Sequence, residues 1–285
     1  MANYQIITDS GSDLPKHILQ ELNVLSIPLS VNFRGQTLDD SVDEGITDIY
    51  AGLRAGEAAS TSAINPQRWA EVIQSVLDKG MDALVVTFSS GLSTTYQSAV
   101  IAAQELAERY PQRQIRVVDS LAASLGQGLL VWYTCKMRDT GMELDELAAW
   151  VEANRLRLCH WFTVDDLMFL KRGGRISAAT ALLGTMLNIK PVLHVDDEGH
   201  LISVSKSRGR KAAIEALAAK AAQSCMENDT MFICHGDCGE DAAYLEKLIR
   251  EKCGVKHVLI GYTGAVIGSH SGPGTLALFF LDKQR

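Results

Sequence analysis

Ala83-Leu84-Val85-Val86-Thr87 is an almost wholly apolar run. A strand with one wet face would alternate apolar and polar residues, and this one does not. It therefore reads as a central strand of a parallel sheet, covered on both faces. Parallel neighbours need crossover connections, usually helical, so the flanking sequence should alternate strands with helices. Tyr4 to Thr8 reads as a short buried strand, ending at the turn and cap cluster Asp9-Ser10-Gly11-Ser12-Asp13. Pro15 suits the first turn of a helix through Ile18, Leu19 and Leu22. Val24 to Val31 reads as a further strand, with Gly35 marking a hairpin-like turn. Ile46, Ile49, Tyr50 and Leu53 recur at helical spacing. Ser60-Thr61-Ser62 reads as a loop, and Asn65-Pro66 as the start of a helix through Leu77. Beyond the central run come a helix from about Tyr96 to Arg109, a strand from Ile115 to Val118, and helices over Ala122–Asp139 and Leu144–Arg157. This repetition predicts an α/β fold with a parallel, doubly wound sheet.

The second half has a different rhythm. His160 to Val164 is strand-like, and Ile176 to Leu187 is helical, small and apolar. Ile189–Val195 and Leu201–Ser205 read as two strands around the turn Asp196 to His200. A helix from Lys211 to Met226, strands at Thr230–His235 and Lys256–Tyr262, a helix between them, a glycine-rich loop from Gly264 and a strand at Leu276–Leu281 complete it. The expectation is a mixed α/β sheet with helices on one side. Two domains follow, residues 1–160 and 161–285.

Composition narrows the function classes. Of 285 residues, 47% are hydrophobic and 21% charged, which suits a packed globular chain. The net charge is −7, so no global basic excess supports nucleic-acid binding. The local basic run Lys206, Arg208, Arg210 and Lys211 reads as a solvated face or a docking segment. Cys234-His235-Gly236-Asp237-Cys238 lacks the further ligands a zinc site needs, so the six cysteines read as reduced, mostly buried thiols and no metal is expected. The first residues resemble no signal peptide, and the longest apolar candidate, Ala178 to Val195, is interrupted by Gly184, Asn188, Lys190 and Pro191. A cytoplasmic protein is expected.

Ligands of open parallel sheets bind beyond the carboxyl ends of the strands. Four hydroxyl-rich segments compete for that place: Asp9 to Ser12, Thr61-Ser62, Ser89 to Thr95, and Asp119-Ser120. Hydroxyls beside exposed helix N–H groups can hold an anion without a full positive charge. Asp9 and Asp119 serve equally well as helix caps. Gly91-Leu92-Ser93-Thr94-Thr95 lacks the second glycine of a nucleophile elbow, yet Ser93, His270 and Asp119 leave a serine hydrolase of acyl esters as an alternative. No phosphate-loop pattern is present. His270 lies among glycines that let backbone approach a ligand. Arg175, after Gly173-Gly174, could aim at a carboxylate or lock two domains together.

The ordered series Ile7-Thr8-Asp9-Ser10, Thr61-Ser62, Phe88-Ser89-Ser90-Gly91-Leu92-Ser93, Val118-Asp119-Ser120, Leu170-Lys171-Arg172-Gly173-Gly174-Arg175-Ile176, Lys190-Pro191 and Gly268-Ser269-His270-Ser271-Gly272-Pro273-Gly274 resembles the DegV family. The resemblance spans about residues 3–282. It implies a parallel α/β domain followed by a mixed-sheet domain, with a long-chain fatty acid such as palmitate, stearate or oleate in a tunnel between them. It implies a binding subunit and not an enzyme: FakB-like members present the acid to a separate FakA-like kinase that uses ATP to make an acyl phosphate. Thr61 and Ser93 match the family's carboxylate contacts, with His270 alongside; Ser62 and Arg175 match further motif positions. Such a ligand also allows transient contact with a membrane surface. The small apolar stretch Ala178 to Gly184 could line the tunnel, and the basic run could dock an acidic kinase face. Two departures border the head group: Ala63-Ile64 precede Asn65-Pro66 where the family has Gln-Pro directly after Thr-Ser, and Thr94 stands where it has glycine.

Overall fold

A computed structural model describes residues 3–176, 188–224, 226 and 228–285. The chain runs β1 (Tyr4–Asp9), α1 (Lys16–Glu21), β2 (Val24–Ile27), β3 (Ser30–Phe33), β4 (Gln36–Asp39), α2 (Ile46–Arg54) and β5 (Ala59–Ser62). It continues with α3 (Pro66–Leu77), β6 (Asp82–Thr87), α4 (Thr95–Arg109), β7 (Ile115–Asp119), α5 (Leu125–Asp139) and α6 (Leu144–Asn154). The second half comprises β8 (Leu158–Thr163), α7 (Leu167–Arg172), β9 (Ile189–Val195), β10 (Leu201–Arg208), α8 (Arg210–Ala222), β11 (Thr230–His235), α9 (Gly239–Cys253), β12 (His257–Tyr262), α10 (Ala265–Ser271) and β13 (Leu276–Leu281).

A parallel four-stranded sheet, ordered β2-β1-β6-β7, has the apolar run at its interior. Alternate residues serve opposite faces, as the two-residue side-chain period requires. Ile7, Ala83 and Val85 pack with Ile73 and Val76 of α3 and Ala102 and Leu106 of α4. Ile6, Leu84 and Val86 pack with Leu129 and Leu130 of α5 and Leu147 and Val151 of α6. The second sheet has six strands ordered β10-β9-β8-β13-β11-β12, mixed in direction, with only β11 and β12 parallel. One face packs under Ile214 and Leu217 of α8 and Leu245 and Ile249 of α9. The expectation of helices on one side alone is corrected here. Phe162, Phe232 and Phe279 on the other face pack with α5, which lies between the two sheets. The fit is close: a Cβ at Gly126 would stand 2.4 Å from the His160 ring and 2.8 Å from Phe279.

Three local expectations are also corrected. Val24 to Val31 is not one strand; β2 and β3 separate at Pro28-Leu29 and belong to different sheets. Proline lacks the N–H that a continuous ladder would use. Thr61 and Ser62 lie not in a loop but in β5, which pairs with β3 (Val31 opposite Thr61, Ser30 opposite Ser62) in a small antiparallel sheet. The glycine-rich segment after Gly264 is not a loop; it forms the short helix α10, which ends at Gly272 with φ 81°. The predicted helix Ile176–Leu187 and its lining stretch Ala178 to Gly184 lie, beyond Ile176, outside the described residues, as does Cys225.

Candidate functional site

A cavity of about 440 Å³ opens between the two sheets. Ligand pockets of small organic molecules run from roughly 300 to 1,000 Å³. Thr61, Ser62, Ser93, Arg175 and His270, the residues singled out from sequence, all contribute to its wall. They arrive from β5, the turn before α4, the segment after α7, and α10.

Thr61 Oγ1 and His270 Nε2 are 2.7 Å apart. Burial first, and then the Arg175 guanidinium, lowers the His270 pKa to about 4. The imidazole is therefore neutral at neutral pH. A neutral Nε2–H donating to Thr61 Oγ1 leaves the threonine O–H free for an incoming acceptor. Gly173 makes room for the ring, since a Cβ there would lie 2.1 Å from His270 Nδ1.

Ser93 Oγ shares a 2.9 Å hydrogen bond with Thr95 Oγ1 and accepts from Thr95 N at 3.3 Å. It sits at the start of α4, where the unpaired N–H groups of a helix end favour negative charge. Arg175 is committed to main-chain carbonyls and not to a carboxylate. Its Nε and Nη2 each donate to Leu92 O at 3.2 Å, and Nη1 donates to Gly173 O. The link ties the end of α7 to the turn carrying Ser93.

The alternative of a Ser93–His270–Asp119 triad is not formed. His270 Nε2 is engaged with Thr61. Asp119 Oδ1 accepts from Ser90 N at 3.1 Å and Leu121 N at 3.0 Å, so it pins loop backbone. Asp9 likewise accepts from Gly11 N, Phe88 N and Gln127 Nε2, holding the first loop against the third. Desolvation by burial raises the Asp9 pKa to about 7. Among the described residues no group of three or more His, Cys, Asp or Glu is arranged to hold a metal ion.

Much of the remaining wall is apolar and is not legible from the motifs. Leu29 and Phe88 come from one half; Phe162, Val195, Ile267 and Phe279 come from the other. Phe162 and Phe279 alternate with residues facing α8 and α9, a period-two signal that identifies a face but not a cavity. The basic run is only partly free. Arg210 pairs with Asp241 at 2.8 Å and with Asp165 at 3.7 Å. Among the described residues no helix is long and apolar enough to cross a membrane.

Comparison with known proteins adds a family context. Residues 3–283 match the family model described as "Uncharacterised protein, DegV family". A DegV domain-containing protein of Clostridium perfringens is 45% identical over 289 aligned positions, covering 100% of this chain and 99% of its own. A structure of a DegV family protein from Thermus thermophilus, described by its fatty acid binding, has TM-score 0.86 at 35% identity, covering 98% of this chain and 99% of that one. A stearic acid-binding protein from Eubacterium ventriosum has TM-score 0.89 at 26% identity, covering 98% of each chain.

Proposed function

This chain belongs to the DegV family, and from that premise we propose that it binds a long-chain fatty acid in the cavity between its sheets and presents the carboxylate to a separate ATP-dependent, FakA-like kinase. The observation that carries the lipid half is the convergence of Thr61, Ser62, Ser93, Arg175 and His270 at a cavity whose remaining wall is largely apolar. On this reading the sheets mark two domains that divide near residue 160. Thr61 and Ser93 hold the carboxylate, His270 backs Thr61, Ser62 borders the head group, and Arg175 fixes the loop that carries Ser93. Fatty acid binding by the Thermus and Eubacterium relatives supports the ligand class.

The energetics agree. A buried carboxylate is costly unless its oxygens are hydrogen-bonded, and the two hydroxyls supply donors. Each buried methylene contributes about 0.8 kcal/mol, so a sixteen-carbon chain gains on the order of 10 kcal/mol before its lost flexibility is counted. Ser93, His270 and Asp119 are each engaged elsewhere and form no triad, which favours chemistry supplied by a partner. The family resemblance supports the partner's identity as a kinase.

Native mass spectrometry of gently purified protein should show a co-purified fatty acid. Ligand-free protein whose melting temperature is unmoved by palmitate, stearate or oleate would overturn the lipid reading. The kinase reading has its own readout: with a FakA-like kinase and ATP, bound palmitate should become an acyl phosphate that hydroxylamine traps. Binding of lipid without any such product would leave a lipid carrier and remove the kinase partner.

A further inference from the structure

The hairpin turn between β9 and β10, Asp196 to His200, lies on the loops that follow β6 and β7. It is organised from within. Asp196 Oδ1 accepts from Glu198 N at 3.1 Å and His200 N at 2.8 Å, and Asp196 N donates to His200 O at 2.9 Å. Asp197, Glu198 and His200 are exposed, yet Gly199 among them is buried. Its cover is the loop that carries Ser93. Ser89 Oγ donates to Gly199 O at 3.0 Å, and a Cβ at Gly199 would stand 2.2 Å from that hydroxyl and 3.3 Å from Leu121 Cα. From the other side, a Cβ at Gly91 would stand 2.7 Å from Glu198 O and 2.9 Å from Gly199 O. Two main chains approach this closely only where neither carries a side chain.

Ser89 is fully buried and is the hub of its loop. Its Oγ also accepts from Gly91 N at 3.1 Å, and its carbonyl accepts from Leu92 N and Ser93 N, each at 3.1 Å. Phe88 and Ser90 line the cavity and Ser89 between them does not, so it supports Ser93 from outside the ligand space. The base of the hairpin turn meets that space directly. Val195 and Leu201, which flank the turn on β9 and β10, both line the cavity. Arg285 holds the base from behind: Nη1 donates to Asp196 O at 2.7 Å, Nη2 to Arg155 O at 2.9 Å and Nε to Leu158 O at 3.0 Å. One rigid turn therefore touches the acyl space at its base and the Ser93 loop at its tip.

We propose that this hairpin turn couples the fit of the acyl chain to the alignment of Ser93, with Val195 and Leu201 meeting the chain and the Ser89–Gly199 contact carrying their position to the carboxylate site. Ser89 is the positioning residue. The inference rests on the fatty-acid reading above and is independent of the kinase. A chain that fills the wall at Val195 and Leu201 keeps the turn seated and Ser93 in place. A chain that leaves this wall unfilled loses head-group hydrogen bonding along with its apolar contact, so the turn sharpens selection among acyl chains. Sites linked in this way share a coupling free energy, which a double-mutant cycle measures.

The test measures palmitate affinity in wild type, Ser89→Ala, Leu201→Ala and the double variant, together with the NMR signal of palmitate isotope-labelled at its carboxyl carbon. Ser89→Ala should weaken binding about tenfold, the effect of one hydrogen bond to a charged group, although Ser89 does not line the cavity. It should also shift the carboxyl resonance of the bound acid. Leu201→Ala should weaken binding about tenfold through lost apolar contact. The double variant should stay within about threefold of the weaker single variant, where independent sites would together lose about a hundredfold. Losses that multiply overturn the coupling. Unaltered affinity or an unmoved carboxyl resonance in Ser89→Ala overturns its positioning role. Should Ser89→Ala fail to fold, Gly91→Ala carries the same cycle, because its Cβ presses the turn off the loop at Glu198 O. Failure of wild type to bind palmitate sinks the fatty-acid reading instead, so the two failures are distinguishable.

Discussion

Thr61 Oγ1 and His270 Nε2 meet at 2.7 Å although 209 positions separate them in the chain. One lies on the last strand of a small antiparallel sheet, the other near the end of a short helix. Their contact lies in the wall of the cavity between the sheets, and it places a neutral imidazole behind the threonine hydroxyl.

Thr61→Val keeps the side-chain shape and removes the hydroxyl. Palmitate affinity should fall about tenfold, the value of one hydrogen bond to a charged group. Thermal stability should change little, because Thr61 is only half-buried. Isothermal titration and a melting curve on the same preparation check both halves. Unchanged affinity would remove Thr61 from the head-group site.

Gly173→Ala tests the same contact from behind. The new Cβ would stand 2.1 Å from His270 Nδ1, so the ring or the backbone must move. Overpacking of this kind typically costs about 1–3 kcal/mol. The variant should be destabilised and should also bind palmitate more weakly. A crystal structure with His270 unmoved, or an unaltered affinity, would contradict the role given to that glycine.

The pH response should contain two opposed contributions. His270 has a folded-state pKa of about 4, below its ordinary value of 6.5, through burial and then Arg175. The unfolded chain binds that proton more readily between these values, so His270 reduces stability as pH falls from about 6.5 to about 4. Asp40 is raised to about 6 from 3.8, mainly by desolvation. Its contribution is therefore fully present below about 3.8 and is lost as pH rises through about 6. Asp40 Oδ1 accepts from Val266 N at 2.9 Å and Oδ2 from Ser10 Oγ at 2.7 Å, tying α10 to the first loop. Denaturant titrations from pH 4 to 8 should show His270→Gln gaining on wild type toward acid. Asp40→Asn should gain on wild type toward alkali, by on the order of 3 kcal/mol. Parallel curves for either variant would refute the corresponding assignment.

Much of the first sheet was legible because its signals are local. The unbroken apolar run at Ala83 to Thr87 and the helices after it follow from period and punctuation alone. The break at Pro28 and the strand at Thr61 are not legible in the sequence, for a common reason. Which sheet a short segment joins depends on the partner strand it meets, and β5 is defined by pairing with β3. Glycine disfavours helix, so the glycine-rich segment around His270 carries no helical signal in the sequence. Tertiary packing overrides that preference in α10, where Ala265 and Val266 are buried against the first half of the chain.

Residue types and their order along the chain therefore determined the fold class and the hydroxyl and imidazole groups available to a ligand. Tertiary structure alone decided how those groups are used. It brought Thr61 to His270, turned Asp119 onto loop backbone, and committed Arg175 to Leu92 O. The physical reason is range. Periodicity and capping act over a few residues, whereas burial, desolvation and ion pairing depend on which distant surfaces exclude water together.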